Sequence, residues 1–245
     1  MFRSRDTLRA GTTSVEVAFT DRHGGISTSP FETLDLSRSR PGRDDEIATN
    51  LALVAHAFGV DGFATMRQVH GQHVEVVHSP GPVPTGCDAL VTTTPDVALC
   101  VRVGDCVPVV LADVSRGVVG VCHAGRRGLV EGVVPAAAES MRAQGAGIIE
   151  AWVGPYVCGG CYELPSAMRD EVARVVPTAY ACTTWGTPSV DIGAGVRAQL
   201  EFGGCIVHDR STCTLESDDL YSYRRDGDRS GRFAGLVVLR RSCDE

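Results

Sequence analysis

The chain has 245 residues, 43% of them hydrophobic, and a formal net charge of −7. That length can bury a sizeable core in one large domain or two small ones, and the acidic balance argues against a general binder of nucleic acid or anionic membrane. All 23 basic residues are arginine, which excludes a Walker A phosphate loop and any Schiff-base mechanism, since both need lysine.

In chain order, Met1–Gly11 is polar, and no apolar run approaches the length of a membrane span, so a cytoplasmic location is expected. Val15, Val17 and Phe19 alternate with Ser14, Glu16 and Ala18 and predict a strand. The turn-rich Asp21–Ser29 follows. Ile47, Leu51, Val54, Ala55 and Phe58 recur at helical spacing, with Gly59 where a C-terminal cap belongs. Val74–Val77 reads as a strand, and the Pro/Gly-rich Ser79–Gly86 as a loop. Val97–Val103, Val107–Ala112 and Val118–Cys122 predict three strands. Leu129, Val130, Val133, Val134, Ala137 and Met141 form a helical stripe. Ile148–Val153 returns to strand, Pro165 opens a helix that Pro177 stops, and Ile192, Val196 and Leu200 mark another closed by Gly203-Gly204. Cys205–Val207 and Leu236–Leu239 close the set as strands. The mixture lacks strict βαβ alternation, so the expected class is α+β, a single domain of mixed sheets flanked by helices.

The sharpest local signal joins Cys106 to His123. If Val107–Ala112 and Val118–Cys122 form an antiparallel hairpin with Asp113 facing Arg116, Cys106 faces His123. Directly opposed Cβ atoms then lie about 4.5–5.5 Å apart, close enough for thiolate and imidazole to share one ion. His70, beside Gly71 and just before the strand at Val74, is the best third donor; His73 and His56 read as ordinary surface or core histidines. Two histidines and one cysteine leave a fourth position open, the arrangement of catalytic zinc. Other features are weaker. Cys158-Gly-Gly-Cys161 lacks the second pair that a structural zinc wants and reads as a permissive loop with buried cysteines. The ten cysteines are otherwise scattered and are expected mostly as free buried thiols.

The segments Phe19–Ser27, Gln68-Val-His-Gly71, Cys87-Asp-Ala-Leu-Val-Thr92, Gly104-Asp-Cys-Val-Pro-Val109, His123-Ala-Gly-Arg-Arg-Gly128, Cys161-Tyr-Glu163, Cys213-Thr214, Tyr221-Ser-Tyr-Arg-Arg225 and Gly231-Arg232 occur in the order of the laccase-domain, or YfiH-like, family, which the chain resembles over nearly its whole length. The resemblance implies a layered fold and a metal, zinc with copper as the alternative, on His70, Cys106 and His123. It implies phosphorolysis of adenosine, inosine, guanosine or methylthioadenosine, plus adenosine deamination. Asp105 is then the candidate acid/base, and Arg22, Asn50 and Arg127 the candidate substrate-binding residues. The partners are nucleoside and phosphate, with a monomer as the expectation. Three positions depart from the family pattern: Gly104 replaces an alanine before Asp105-Cys106, Arg126 replaces a tryptophan that could stack on a purine, and Leu51 replaces an arginine after Asn50.

Three other readings compete. A cysteine- or metal-dependent amidohydrolase editing peptidoglycan precursors would use Cys106 as nucleophile and His123 as base. A partner-binding protein would carry a structural metal with four protein ligands. A copper polyphenol oxidase of the four-copper kind needs about ten histidines, many in His-x-His pairs; this chain has seven histidines and no such pair.

Overall fold

The runs Val107–Asp113 and Val118–Ala124 are buried at every position, which is why they lack strand alternation: both of their faces meet protein. They lie at the middle of a computed structural model that describes residues 1–241. In chain order the elements begin with β1 (Phe2–Ala10), β2 (Thr13–Thr20), α1 (Asp44–Phe58), β3 (Phe63–Arg67), β4 (Val74–Val76), β5 (Gly81–Gly86) and β6 (Ala89–Thr92). They continue with β7 (Ala98–Val103), β8 (Val107–Asp113), β9 (Val118–Ala124), α2 (Arg126–Glu131), α3 (Val133–Ala143) and β10 (Glu150–Val153). The last are α4 (Ser166–Val175), β11 (Tyr180–Cys182), β12 (Pro188–Val190), α5 (Ile192–Phe202), β13 (Ile206–Asp209), α6 (Tyr223–Asp226) and β14 (Phe233–Arg241).

Two six-stranded sheets, ordered β1-β2-β14-β7-β3-β5 and β13-β10-β8-β9-β6-β4, mix parallel and antiparallel pairs. Their inner faces share one core, in which Val17, Leu99, Val101 and Val237 meet Leu90, Val110, Val119 and Val121. The outer face of the first sheet packs on α1 through Leu236, Val238, Val54 and Phe58. The outer face of the second packs on α2, α3, α4 and α5 through Val109, Leu111, Leu129, Ala137, Met141, Val172 and Val196. The result is the expected α+β layering, helix–sheet–sheet–helices. None of the described helices is long and apolar enough to cross a membrane.

The structure corrects several local expectations. Met1–Gly11 contains a strand whose arginines alternate with half-buried residues at a sheet edge. The expected loop Ser79–Gly86 contains β5, paired in parallel to β3; its prolines are tolerated because it is an edge strand. The helical stripe breaks into α2 and α3 at Gly132, whose φ of 91° no helix interior accepts. The central hairpin is offset by two residues. Asp113 pairs with Val118 and Pro108 with His123, because Asp113 caps a longer turn by accepting the Arg116 N–H at 3.0 Å, while Gly117 turns left-handed. Cys106 therefore faces Gly125 rather than His123. A shift of two keeps every side chain on its original face, so the two residues remain neighbours.

Candidate metal centre

His70, Cys106 and His123 place one donor atom each within 4.8 Å of one another. Cys106 leads into β8, His123 is on β9, and His70 comes from the loop after β3. The two rings stand edge to face at 4.7 Å between centroids, and Cys106 Sγ lies 3.7 Å from His70 Nε2. Gly125 makes the convergence possible: a Cβ there would sit 2.5 Å from His70 Cδ2 and 3.2 Å from Cys106 Sγ.

One residue without an assigned role in the sequence reading organises both histidines. Asp88, wholly buried before β6, accepts the backbone N–H groups of Val69, His70 and Gly71 at 3.1, 2.9 and 2.8 Å. These bonds hold His70 at a φ of 60°, a left-handed conformation uncommon outside glycine. The same carboxylate accepts a hydrogen bond from His123 Nδ1–H at 2.7 Å, which turns Nε2 toward the place of a cation. Burial opposes the charge of Asp88, yet the hydrogen bonds from His123 and Gly71 hold its pKa below the ordinary value. Its signal was present as the acid heading the apolar run of Cys87-Asp-Ala-Leu-Val-Thr92.

The sulfur and imidazole polarise each other. Burial alone would raise the Cys106 thiol, but the His123 charge and hydrogen bonds from His123 and His70 bring it down to about 6. Burial alone would lower His123, but the Cys106 thiolate and Asp88 lift it to about 9. Two nitrogens and an ionised sulfur fit a borderline-soft cation such as zinc, with room for a fourth ligand.

That fourth side opens into a cavity of about 700 Å³. Its wall includes five arginines, Arg38, Arg67, Arg102, Arg224 and Arg232, and the aromatic rings of Tyr162 and Tyr223. Arg224 lies over the Tyr162 ring at 4.8 Å and Arg232 over Tyr223 at 5.6 Å. Gln68 locks the cavity floor by exchanging hydrogen bonds with both backbone groups of Arg102, at 2.7 and 3.1 Å. Burial lowers the pKa of Arg102 and of Arg232, so an anion in the cavity would relieve unneutralised charge. Gly104 leaves room for Arg232, whose Cδ would lie 3.2 Å from a Cβ at that position.

The other candidate residues have different settings. Asp105 reaches the cavity wall, but its carboxylate accepts the Thr214 hydroxyl at 2.6 Å and the Arg224 N–H, and so anchors the turn before Cys106. Arg22, Asn50 and Arg127 do not line the cavity. Arg22 stacks on Tyr221 and faces a smaller pocket with Pro30, Arg225, Asp226 and Arg229. Asn50 is wholly buried and knits the 26–35 loop, donating to Ser27 Oγ and the Asp35 carbonyl and accepting from the Ile26 N–H. Arg127 is exposed and pairs with Glu131 one turn along α2. The resemblance pointed to these three, whereas the arginines lining the cavity come from five separate segments.

Residues 16–240 match the family described as multi-copper polyphenol oxidoreductase laccase. The chain belongs to that family. A purine nucleoside phosphorylase of Streptomyces coelicolor is 49% identical over 98% of this chain and all of its own length. One from Streptomyces griseus is 47% identical over 93% of this chain and 96% of its own. Among solved structures, a Neisseria meningitidis protein superposes with a TM-score of 0.81 at 26% identity, covering 98% of this chain and 99% of its own. This laccase-family chain has seven histidines and no His-x-His pair, too few for a type-1 copper together with a trinuclear copper cluster.

Proposed function

We propose that this chain is a purine nucleoside phosphorylase that converts adenosine, inosine, guanosine and methylthioadenosine into free base and (methylthio)ribose-1-phosphate. The observation that carries the reading is the pairing of a three-donor centre with a cavity walled by arginines and tyrosines. The names of its relatives support the same activity. In the reaction a phosphate oxygen bonds to ribose C1′, the C1′–N9 bond breaks, and the electron pair leaves with the purine, which takes up a proton. The arginines would hold the phosphate and offset its charge as it approaches. Tyr162 and Tyr223 would supply the ring faces for the base that the missing tryptophan at position 126 does not.

His70, Cys106 and His123 would hold the metal, with zinc proposed and copper as its rival. When bound, zinc supplies a Lewis acid and acidifies water at neutral pH. Adenosine deamination is the second proposed activity, drawing on the open fourth position beside the base. The proposal takes the chain as one domain acting as a monomer in the cytoplasm.

The test incubates metal-assayed protein with adenosine, with and without inorganic phosphate. Adenine and ribose-1-phosphate that appear only with phosphate, and inosine in either case, are expected. Formation of neither adenine nor inosine overturns the reading.

A second reading rests on the line Asp88–His123–Cys106, a carboxylate, an imidazole and a low-pKa thiol in the order of a nucleophilic relay. It would make the chain an amidohydrolase. Activity restored by zinc after chelation favours the metal; activity indifferent to chelator and abolished by thiol alkylation favours the nucleophile.

A further inference from the structure

A second group of donors lies outside the cavity and shares no residue with the first. Cys158, Cys161, Cys213 and Glu216 each bring one ligand atom within 4.8 Å of the others. The three cysteines are free thiols. The sequence alone offered only the Cys158–Cys161 pair; the fold adds the other two donors from more than fifty residues away.

Local structure explains why these side chains converge. The Cys158 carbonyl accepts the N–H groups of Cys161 and Tyr162, both at 3.0 Å, folding Gly159-Gly160 into a tight turn that sets the two sulfurs side by side. Gly159 has no room for a side chain, since a Cβ would sit 2.7 Å from that of Asp191. Tyr156 pairs in parallel with Cys213, donating to the Thr212 carbonyl at 3.1 Å and accepting from the Thr214 N–H at 3.0 Å. This bridge delivers Cys213 to the turn, where the Cys158 N–H points at Cys213 Sγ at 3.5 Å. Arg225 spans the carbonyls of Thr214, Leu215 and Ser217 and so braces the loop that carries Glu216.

From this arrangement we infer that Cys158, Cys161, Cys213 and Glu216 form a second metal site, a closed structural one that takes a thiophilic divalent cation of the zinc class. Zinc–sulfur bonds of about 2.3 Å put tetrahedral sulfurs about 3.8 Å apart, so only a small contraction is needed. Each thiol gives its proton to solvent as the metal binds. The Cys158 N–H donated to Cys213 Sγ stabilises that sulfur as a thiolate. Four protein ligands leave no position for a reactant. A pairwise disulfide would strand one of the three sulfurs, whereas one cation uses them all.

The site's role follows from its neighbours. Tyr162, next to Cys161, walls the cavity; Thr214, next to Cys213, hydrogen-bonds Asp105; and the Val157 N–H donates to the Asp105 carbonyl at 3.0 Å. One ion would clamp the two segments that hold the turn before Cys106.

The test uses the full chain carrying Cys106→Ser, which removes the first centre. Reduced and stripped of metal, it is titrated with Co²⁺ and with Zn²⁺. One equivalent is expected, with thiolate-to-cobalt charge-transfer bands and a thermal midpoint raised by several degrees. Adding Cys158→Ser or Cys213→Ser removes the bands. Adding the exposed Glu216→Gln, which spares the fold, shifts the cobalt spectrum and weakens binding about tenfold or more. The inference is overturned if the folded, fully reduced Cys106→Ser protein takes up no cobalt, or if its equivalent survives both cysteine changes.

Discussion

The two donor groups differ in the kinds of atom they offer, in their number and in what surrounds them: two nitrogens and a sulfur in one, three sulfurs and a carboxylate oxygen in the other. His70, Cys106 and His123 supply three ligands, with the fourth side facing an arginine-lined cavity. Cys158, Cys161, Cys213 and Glu216 supply four, at a crossing of backbone segments. The first has an outer carboxylate, Asp88, that orients both histidines; the second is positioned mainly by bonds to the main chain, from its own N–H groups and from the Arg225 side chain. Three donors with an outer carboxylate suit chemistry, and four donors on backbone suit architecture.

That contrast predicts a ranked series of effects. Cys106→Ser should strip metal from the cavity and leave activity below about one hundredth of wild type, because even outer partners of such ligands are worth about 10–100-fold. Metal analysis should still find the four-donor site filled; loss of both metals together would erase the distinction. Gly125→Ala should come next. Its methyl group collides with the His70 ring, and a strain of about 1–3 kcal/mol corresponds to roughly ten- to hundredfold weaker metal binding at the first centre. Isothermal titration reads this directly, and unchanged affinity would mean the close approach is unimportant.

The pH dependence of metal uptake sharpens the comparison further. With Cys106 brought down to about 6 and His123 raised to about 9, the metal-free pair carries one displaceable proton between those values. Apparent affinity should climb about tenfold per pH unit across that window, climb more steeply below it, and level off above it. A flat profile from pH 6 to 9 would contradict the thiolate–imidazolium pair. Arg224→Ala should raise KM for phosphate about tenfold, the worth of one charged hydrogen bond of about 1.5 kcal/mol, with little change in metal content. Steady-state kinetics at varied phosphate would show it. The smallest effect belongs to Arg127→Ala. Its exposed ion pair is worth at most about 1 kcal/mol, and kinetic constants should move less than twofold; a larger change would bring α2 into the substrate site.

Much of the architecture was legible from pattern. The α1 stripe ending at Gly59, the central strands and the α5 stripe with its glycine stop all stand where periodicity put them. Failures cluster at sheet edges and short strands. β1 hides behind polar alternation, and β5 is built from prolines and glycines that local propensity assigns to loops. The hairpin was legible to its face and wrong by two in its register, since turn length depends on the Asp113 cap and Gly117 rather than on apolar pattern. The resemblance that nominated Arg22, Asn50 and Arg127 carries no information on which wall a side chain faces, and the three do not line the cavity beside the donors.

The sequence by itself determined the α+β class, the absence of lysine chemistry and the nomination of His70, Cys106 and His123, because periodicity and residue type are local properties. Tertiary structure alone decided that Asp88 holds both histidines, that five dispersed arginines share one cavity, and that Cys213 and Glu216 complete the Cys158–Cys161 pair. Each of these depends on non-local strand pairing, whose register is set by the packing of whole sheets and leaves no periodic trace in the chain.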